Sequence, residues 1–323
     1  MGRLSAAQGF YRQAVAMSPG NPVYELSYAI ALLLMGDYSE GWMRYESRLL
    51  VQGSHSQFVV GRDNSLRIRS LVDGLPEHLT LVSEQGLGDT IQFIRYAKHL
   101  ACYGVSVTAL VQTELVHVLK SSGLGVNILD ARDCIVNIDM APWAPLLSIP
   151  MLLSVSPANP LVVEPYISPS ASSSARWSEA LQFVRSPLIA LNWQGNLAAE
   201  VNNLRGRSIA LEGFARLAQI PAVRFVSIQS GRGCEQMSTC SFREKFVDLP
   251  CLPSAVLDFD DVAAIARLCL LVITTDTAVA HLAAASGVEV WLLLQYVPDW
   301  RWGFEGNYSC WYPTMRLFRQ KVR

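Results

Sequence analysis

Residues 270–287, LLVITTDTAVAHLAAASG, limit the possible folds more than any other stretch of this chain. An apolar and β-branched run, 270–274, reads as a buried strand. A polar elbow follows at Thr275, Asp276 and Thr277. Small residues from Ala278 to about Ser286 read as a helix that stops at Gly287, a residue suited to a left-handed cap. A second apolar run, 288–294, comes straight after. Two buried strands joined by a helix must be parallel, so the chain carries at least one crossover unit. Free N–H groups at the helix start, with a Thr hydroxyl beside them, attract phosphate. Helix capping by Asp276 or Thr277 explains the same residues equally well.

A second elbow shifts that balance. Residues 78–83, HLTLVS, read as a strand, and 84–89, EQGLGD, as a turn. Residues 90–103 then read as a helix, with Ile91, Ile94, Ala97 and Ala101 spaced by three and four. Gly86 and Gly88 allow a ligand or another backbone to come close. The pattern is not the dinucleotide fingerprint, because Ile91 stands where the third glycine belongs. No Gly-Lys-Ser/Thr follows, so it is not a P-loop. Two strand-to-helix elbows in two α/β halves suit a donor and an acceptor.

Composition narrows the function classes. Apolar residues make up 51% and charged residues 16% of 323 residues, which supports buried cores and two or three domains. A net charge of −1 gives no electrostatic case for nucleic acid or an anionic membrane as partner. The seven cysteines lie far apart, and Cys234/Cys240 and Cys102/Cys134 match no zinc spacing. Reduced thiols in a cytoplasmic protein are expected, with no metal site. The first ten residues lack a signal-peptide core. The longest apolar run, residues 28–35, is too short to span a bilayer.

The chain divides along its length. Tyr11 and Tyr45 lie 34 residues apart, the tetratricopeptide period, and AAQGFYRQAVAMSPGNP aligns with YSEGWMRYESRL. Residues 1–53 are therefore expected to hold partial tetratricopeptide helices, with an ordinary helical hairpin as the alternative. Residues 54–77 read as a connecting segment. A first α/β domain is expected over 78–167, with strands at 105–111, 126–129 and 135–139 and a helix at 113–121. SPSASSS, 168–174, marks a linker over 168–184. A second α/β domain is expected over 185–323, with strands at 188–193 and 223–228 and helices at 211–219 and 258–268.

Seven segments in this order carry a resemblance: SEQGLGDTIQFIRYA, NWQGN with RGRS after it, FVSIQ, DFDDVAAIARL, TTDTAVAHLAAASG, PDWRW and WYPTMRLFRQ. Together they resemble the glycosyltransferase-like domain that follows tetratricopeptide repeats in many bacterial proteins. That domain is similar to the lipopolysaccharide heptosyltransferases and more distantly to the O-linked N-acetylglucosamine transferases. The resemblance implies an α/β fold of two Rossmann-like domains in GT-B arrangement, preceded by a short α-helical tetratricopeptide-like segment. It implies a nucleotide-sugar donor held by the C-terminal domain, a glycan or protein acceptor on the N-terminal side and no cofactor. Asp89 matches the catalytic base of the resembling heptosyltransferases; a helix cap is its alternative role. Asp276, Thr277 and His281 match their donor-phosphate motif, with Thr275 beside it. The resembling proteins continue into a further helix beyond RLFRQ, so a downstream segment is expected.

The remaining candidates are weaker. Arg207 and Ser208, with Arg205, follow NWQGN and suit a pyrophosphate contact; a solvated basic loop explains them as well. Asp258-Phe259-Asp260 has the form of a DxD metal motif, but it opens an apolar-periodic helix, and capping explains it better. Trp300, Arg301, Trp302, Trp311, Tyr312 and Pro313 read as packing around a loop. Two functions compete: an inverting, metal-independent glycosyltransferase, and a degenerate transferase-like scaffold that binds protein partners through its repeats.

Overall fold

The apolar runs pair in parallel, in two separate sheets. The computed structural model describes residues 4–51, 63–133, 141–200, 206–248 and 257–322. It divides into two units. The first comprises Met1–Val116, Leu124–Val163 and Val297–Gly306; the second comprises His117–Gly123, Glu164–Tyr296 and Asn307–Arg323.

The first unit opens with three helices, α1 (Leu4–Met17), α2 (Pro22–Met35) and α3 (Tyr38–Tyr45). Asn21 starts α2: its side chain accepts from the N–H groups of Val23 at 3.1 Å and Tyr24 at 3.4 Å. Gly36, at φ 91°, ends it in the left-handed conformation. Tyr28, Leu32 and Leu33 form its buried stripe. Gly41 lets α3 pack there, since a Cβ would lie 2.8 Å from Leu33 Cδ2. By contrast, α1 buries no side chain.

The α/β part follows as β1 (His78–Val82), α4 (Leu87–Cys102), β2 (Ser106–Val111), the start of α5 (Thr113–Ser121, assigned to the second unit from His117 on), β3 (Asn127–Asp130), β4 (Trp143–Pro145) and α6 (Ile149–Leu152). Among the described residues the strands form a parallel sheet in the order β3-β2-β1-β4. Leu81 pairs with Ala109 on one side and Ala144 on the other. The chain moves from β1 to β2 and β3, then crosses to the far side of β1 for β4. The switch point therefore lies at the carboxyl ends of β1 and β4, where open α/β sheets hold ligands.

The second unit contains α7 (Ala171–Leu181), β5 (Leu188–Asn192), α8 (Ala215–Ala218), β6 (Arg224–Ser227), α9 (Phe259–Leu268), β7 (Leu271–Thr275), α10 (Ala278–Ala285), β8 (Val290–Leu294) and β9 (Met315–Arg319). All pair in parallel in the order β6-β5-β7-β8-β9. Its switch point lies between β5 and β7. Leu191, Trp193, Phe214, Phe225, Phe246 and Ile273 fill one face. Each such side chain stabilises the fold by about 1.5–3 kcal/mol when fully buried.

Several expectations change. The serine-rich stretch read as a linker opens α7 instead. Ser170 Oγ accepts from the Ser173 N–H at 3.2 Å, and Trp177 and Leu181 bury one face of the helix. The serines suggested flexibility by composition, whereas one of them acts as the helix cap. The helix expected over 211–219 is a 3₁₀ turn, Leu211–Phe214, running into the single turn of α8. Neither β4, at three residues, nor β9 was anticipated. Three residues are too few to show a periodicity. The strand expected at 135–139 lies outside the described residues. Asp258 caps α9, accepting from the Asp261 N–H at 2.8 Å, as expected. No described helix is long and apolar enough to cross a membrane.

Candidate functional site

In the first unit the EQGLGD elbow turns the chain from β1 into α4, at the switch point. Gln85 takes φ 61°, a left-handed conformation that a side chain rarely adopts, so the turn is held by its surroundings. Gly86 is the N-cap and has no side chain to cap with. Asp89, three residues on, reaches back: its Oδ2 accepts from the Gly86 N–H at 2.8 Å. The capping role is thus real, but it uses one carboxylate oxygen. The other, Oδ1, accepts from Arg301 Nη2.

Arg301 is buried and triply held. Its Nε donates to Gln92 Oε1 at 2.5 Å and its Nη1 to Asp299 Oδ1 at 2.9 Å. The guanidinium lies over the Trp300 ring, 4.3 Å from its centroid, and 5.5 Å from that of Phe93. Burial pulls the Arg301 pKa down, but Asp299 and Asp89 outweigh it and raise it. Asp89 responds to burial more than to its partners: its carboxyl sits above the ordinary value, with Arg301 and the Gly86 N–H opposing. A carboxylate shifted upward is a better proton acceptor near neutral pH. In the sequence Arg301 reads only as part of an aromatic cluster, because its separation from Asp89 hides the pairing.

A second group of buried charges lies under the same elbow. Arg48, fully buried, forks onto Glu84: Nε to Oε2 at 3.0 Å and Nη2 to Oε1 at 2.7 Å. Its Nη2 also donates to Ser148 Oγ at 2.9 Å and its Nη1 to Glu46 Oε1 at 2.7 Å. Glu46 in turn pairs with Arg67. Neighbouring Tyr45 donates its hydroxyl to Gln85 Oε1 at 3.2 Å, and burial pushes its pKa up to about 12 against Arg301 and Arg48. None of this was read from the sequence. A cavity of about 830 Å³, lined by Glu25, Glu40, Arg44, Glu46, Arg67 and Met151 among others, lies off the elbow and does not include Asp89.

In the second unit, Asn192 at the end of β5 and Thr274 and Thr277 at the end of β7 meet at the switch point. Asn192 Oδ1 accepts from Thr274 Oγ1 at 3.0 Å and from Thr277 Oγ1 at 2.9 Å. Thr277 occupies the N-cap position of α10 but makes no side-chain cap bond, so the sequence-based capping role does not hold for it. The first N–H groups of α10 thus have no side-chain cap from Thr277. Thr275 Oγ1 is buried with no hydrogen-bond partner. Gln229 ties the β5 loop down. Its Oε1 accepts from Asn192 Nδ2 at 2.9 Å and from the N–H groups of Trp193 at 3.1 Å and Gln194 at 2.9 Å.

Arg207 and Ser208 come to the same loop. Ser208 Oγ accepts from the Gly195 N–H at 3.1 Å and donates to Glu200 Oε1 at 2.5 Å. Arg207 Nε lies 3.5 Å from Glu200 and has no hydrogen-bond partner, although it is buried. Its guanidinium packs on Gly195, where a Cβ would meet Nη2 at 2.7 Å. The solvated-loop reading fails for Arg207, which is largely buried. Arg205 lies outside the described residues. His281, buried one turn into α10, has Nδ1 2.9 Å from Tyr312 Oη. The structure therefore brings Thr275, Asp276 and Thr277 to the switch point of this sheet and gives His281 a protein partner. Asn192 lies in NWQGN and Gln229 in FVSIQ, but nothing in those segments alone marks either residue as part of a site. Among the described residues, no cluster of His, Cys, Asp and Glu could hold a metal, and the five described cysteines are free.

No protein-family model matches the chain. It is 25% identical over 335 residues to Protein FlbA of Caulobacter vibrioides, covering 95% of this chain and 54% of the relative. The chain thus spans about half the length of the curated relative it matches. Among solved structures it is similar to a glycosyl transferase of family 9 from Veillonella parvula, with TM-score 0.55 and 10% identity, over 76% of this chain and 86% of that one. It is also similar to the ADP-heptose lipopolysaccharide heptosyltransferase II of Escherichia coli, with TM-score 0.52 and 9% identity, over 76% of this chain and 91% of that one. At these identities the likeness is one of fold. The two parallel sheets have the GT-B-like fold of these transferases.

Proposed function

We propose that the chain is a glycosyltransferase that moves a sugar from a nucleotide-activated donor to a glycan or protein acceptor, by an inverting, metal-independent route. In this reading an acceptor hydroxyl attacks the anomeric carbon. The new carbon–oxygen bond forms as the bond to the nucleoside diphosphate breaks, and Asp89 takes the hydroxyl proton. Each carboxylate oxygen keeps a second acceptor site after its bond to Gly86 or Arg301. The departing diphosphate gains negative charge. The start of α10 and the cationic Arg207 are suited to stabilise that charge without a metal. ADP-heptose, named for the Escherichia coli neighbour, is the first donor to try.

The observation that carries the reading is Asp89: a carboxylate raised above its ordinary value by burial, at the switch point of its sheet. The N-terminal helices, read as tetratricopeptide-like, would recruit the acceptor or a protein partner. A second reading, a degenerate scaffold, has one observation in its favour. Asp89, Thr277 and His281 each already bond to a side chain within the protein.

A screen of donor hydrolysis and transfer with ADP-, UDP- and GDP-sugars separates the two, with Asp89→Asn alongside. The variant keeps donor binding and loses transfer by at least ~10²-fold, the typical contribution of a general base. Near-wild-type turnover in the variant rules out the base role. Absence of binding across the panel favours the scaffold.

A further inference from the structure

We propose that Arg48 is the positioning residue of the EQGLGD elbow, so that the N-terminal helical segment belongs to the unit that holds Asp89. The proposal rests on the transferase reading only for the purpose of the elbow; the geometry and its test do not depend on activity.

The elbow contains a left-handed Gln85, and a turn of this kind persists only where its surroundings hold it. Glu84 is its first residue and is fully buried. The Arg48 fork occupies both Glu84 oxygens, and Glu84 Oε1 also accepts from the Leu147 N–H at 3.3 Å. Arg48 reaches Ser148 as well. One guanidinium thus ties the ends of β1 and β4 together at the switch point. Its own position is fixed from the N-terminal side. Its Nη1 donates to the Tyr45 carbonyl at 3.1 Å, and its charge stacks 4.8 Å from the Tyr45 ring centroid. Tyr45 then adds its own bond to Gln85.

The packing agrees with this reading. Trp42, on α3, donates from Nε1 to the Val155 carbonyl at 2.8 Å. It meets Phe93 of α4 edge-on at 6.3 Å and Trp300 at 5.2 Å. Trp300 and Phe93 are also the rings against which Arg301 lies. The helical segment therefore reaches the elbow by two routes, through Arg48 to Glu84 and through Trp42 to the Arg301 slot. A recruitment module that only carries a partner would need neither route.

Lysine tests the fork without removing the charge. It offers a single ammonium in place of a planar guanidinium, so it cannot hold Glu84 and Ser148 in the same geometry. Hydrogen–deuterium exchange of the full chain is the readout. In Arg48→Lys the amides of residues 85–90 and of Leu147 should exchange at least ~10-fold faster. Those of β2 and of the last two turns of α4 should not change. Unchanged elbow amides, or a uniform rise across the unit, overturn the proposal. Arg48→Met with Glu84→Gln is the second variant, since it leaves no carboxylate stranded at 84. It should fold and still lose elbow protection. A protected elbow in that variant also overturns the proposal. If transfer is measured, Arg48→Lys should lower kcat and leave the donor KM unchanged; failure of the transferase reading removes this last readout but not the exchange result.

Discussion

Replacing Arg301 by Met should produce a pH-dependent loss of stability. Methionine fits the slot between Trp300 and Phe93, so the aromatic packing is largely kept. The charge is not. Asp89, Asp299 and Gln92 all lose their bonds to the guanidinium, while Asp89 keeps the Gly86 N–H and Asp299 the backbone N–H at position 301. Removing one member of a fully buried ion pair costs about 3–5 kcal/mol, which is the upper bound here because Asp89 and Asp299 are part-buried and each keeps a backbone donor. At about 2–4 °C per kcal/mol for a unit of this size, Tm should fall by several degrees and by no more than ~20 °C near neutral pH. The pH dependence follows from Asp89. Its folded pKa is already raised, mainly by burial, and loss of Arg301 raises it further. Between the unfolded and folded values the native state binds more protons than the unfolded one, so stability falls as pH rises through that window. The penalty is complete above the folded pKa and absent below the unfolded one. The deficit of the variant should therefore narrow as the pH is lowered from neutral toward the ordinary carboxylate range. Thermal melts of both proteins across that range measure it. A deficit below ~2 °C, or one that does not change with pH, refutes the claim that Arg301 compensates a part-buried Asp89.

Asn192→Ala should loosen the β7–α10 elbow, because Thr274 and Thr277 both donate to its carbonyl. Calorimetric titration should show nucleoside diphosphate binding weakened by about ten-fold, ~1.4 kcal/mol, with the free nucleoside unaffected. Thr277→Ala removes one of those bonds and should have a smaller effect, since its hydroxyl already serves Asn192. Equal loss for nucleoside and diphosphate would move the effect away from phosphate. Gly287→Ala should destabilise by about 1–3 kcal/mol in urea melts: φ is 81°, and a Cβ would lie 2.8 Å from Pro165 Cγ. Wild-type stability there would show that the backbone at the end of α10 relaxes freely.

The sequence by itself determined many of the local units: β1 to β3 and β5 to β8 as strands, where α9 and α10 begin, and that Gly287 ends a helix in the left-handed conformation, whereas α4 begins at Leu87, three residues before its expected start. These depend on periodicity and on caps a few residues away, so they are legible in one dimension. It also singled out both elbows and Thr277, because glycines and small polar residues between a strand and a helix are a short-range pattern; Asp89 became a candidate through the family resemblance. Only the tertiary structure decided what those residues bond to. Sheet order brought β5 beside β7 and so Asn192 to Thr277, across 85 residues. It is also tertiary packing that set Arg301 on Asp89, 212 residues away, and Arg48 on Glu84, 36 away. No local pattern marks which arginine neutralises which carboxylate. That pairing follows from burial, since a charge taken out of water must find its partner in whatever the fold has brought near.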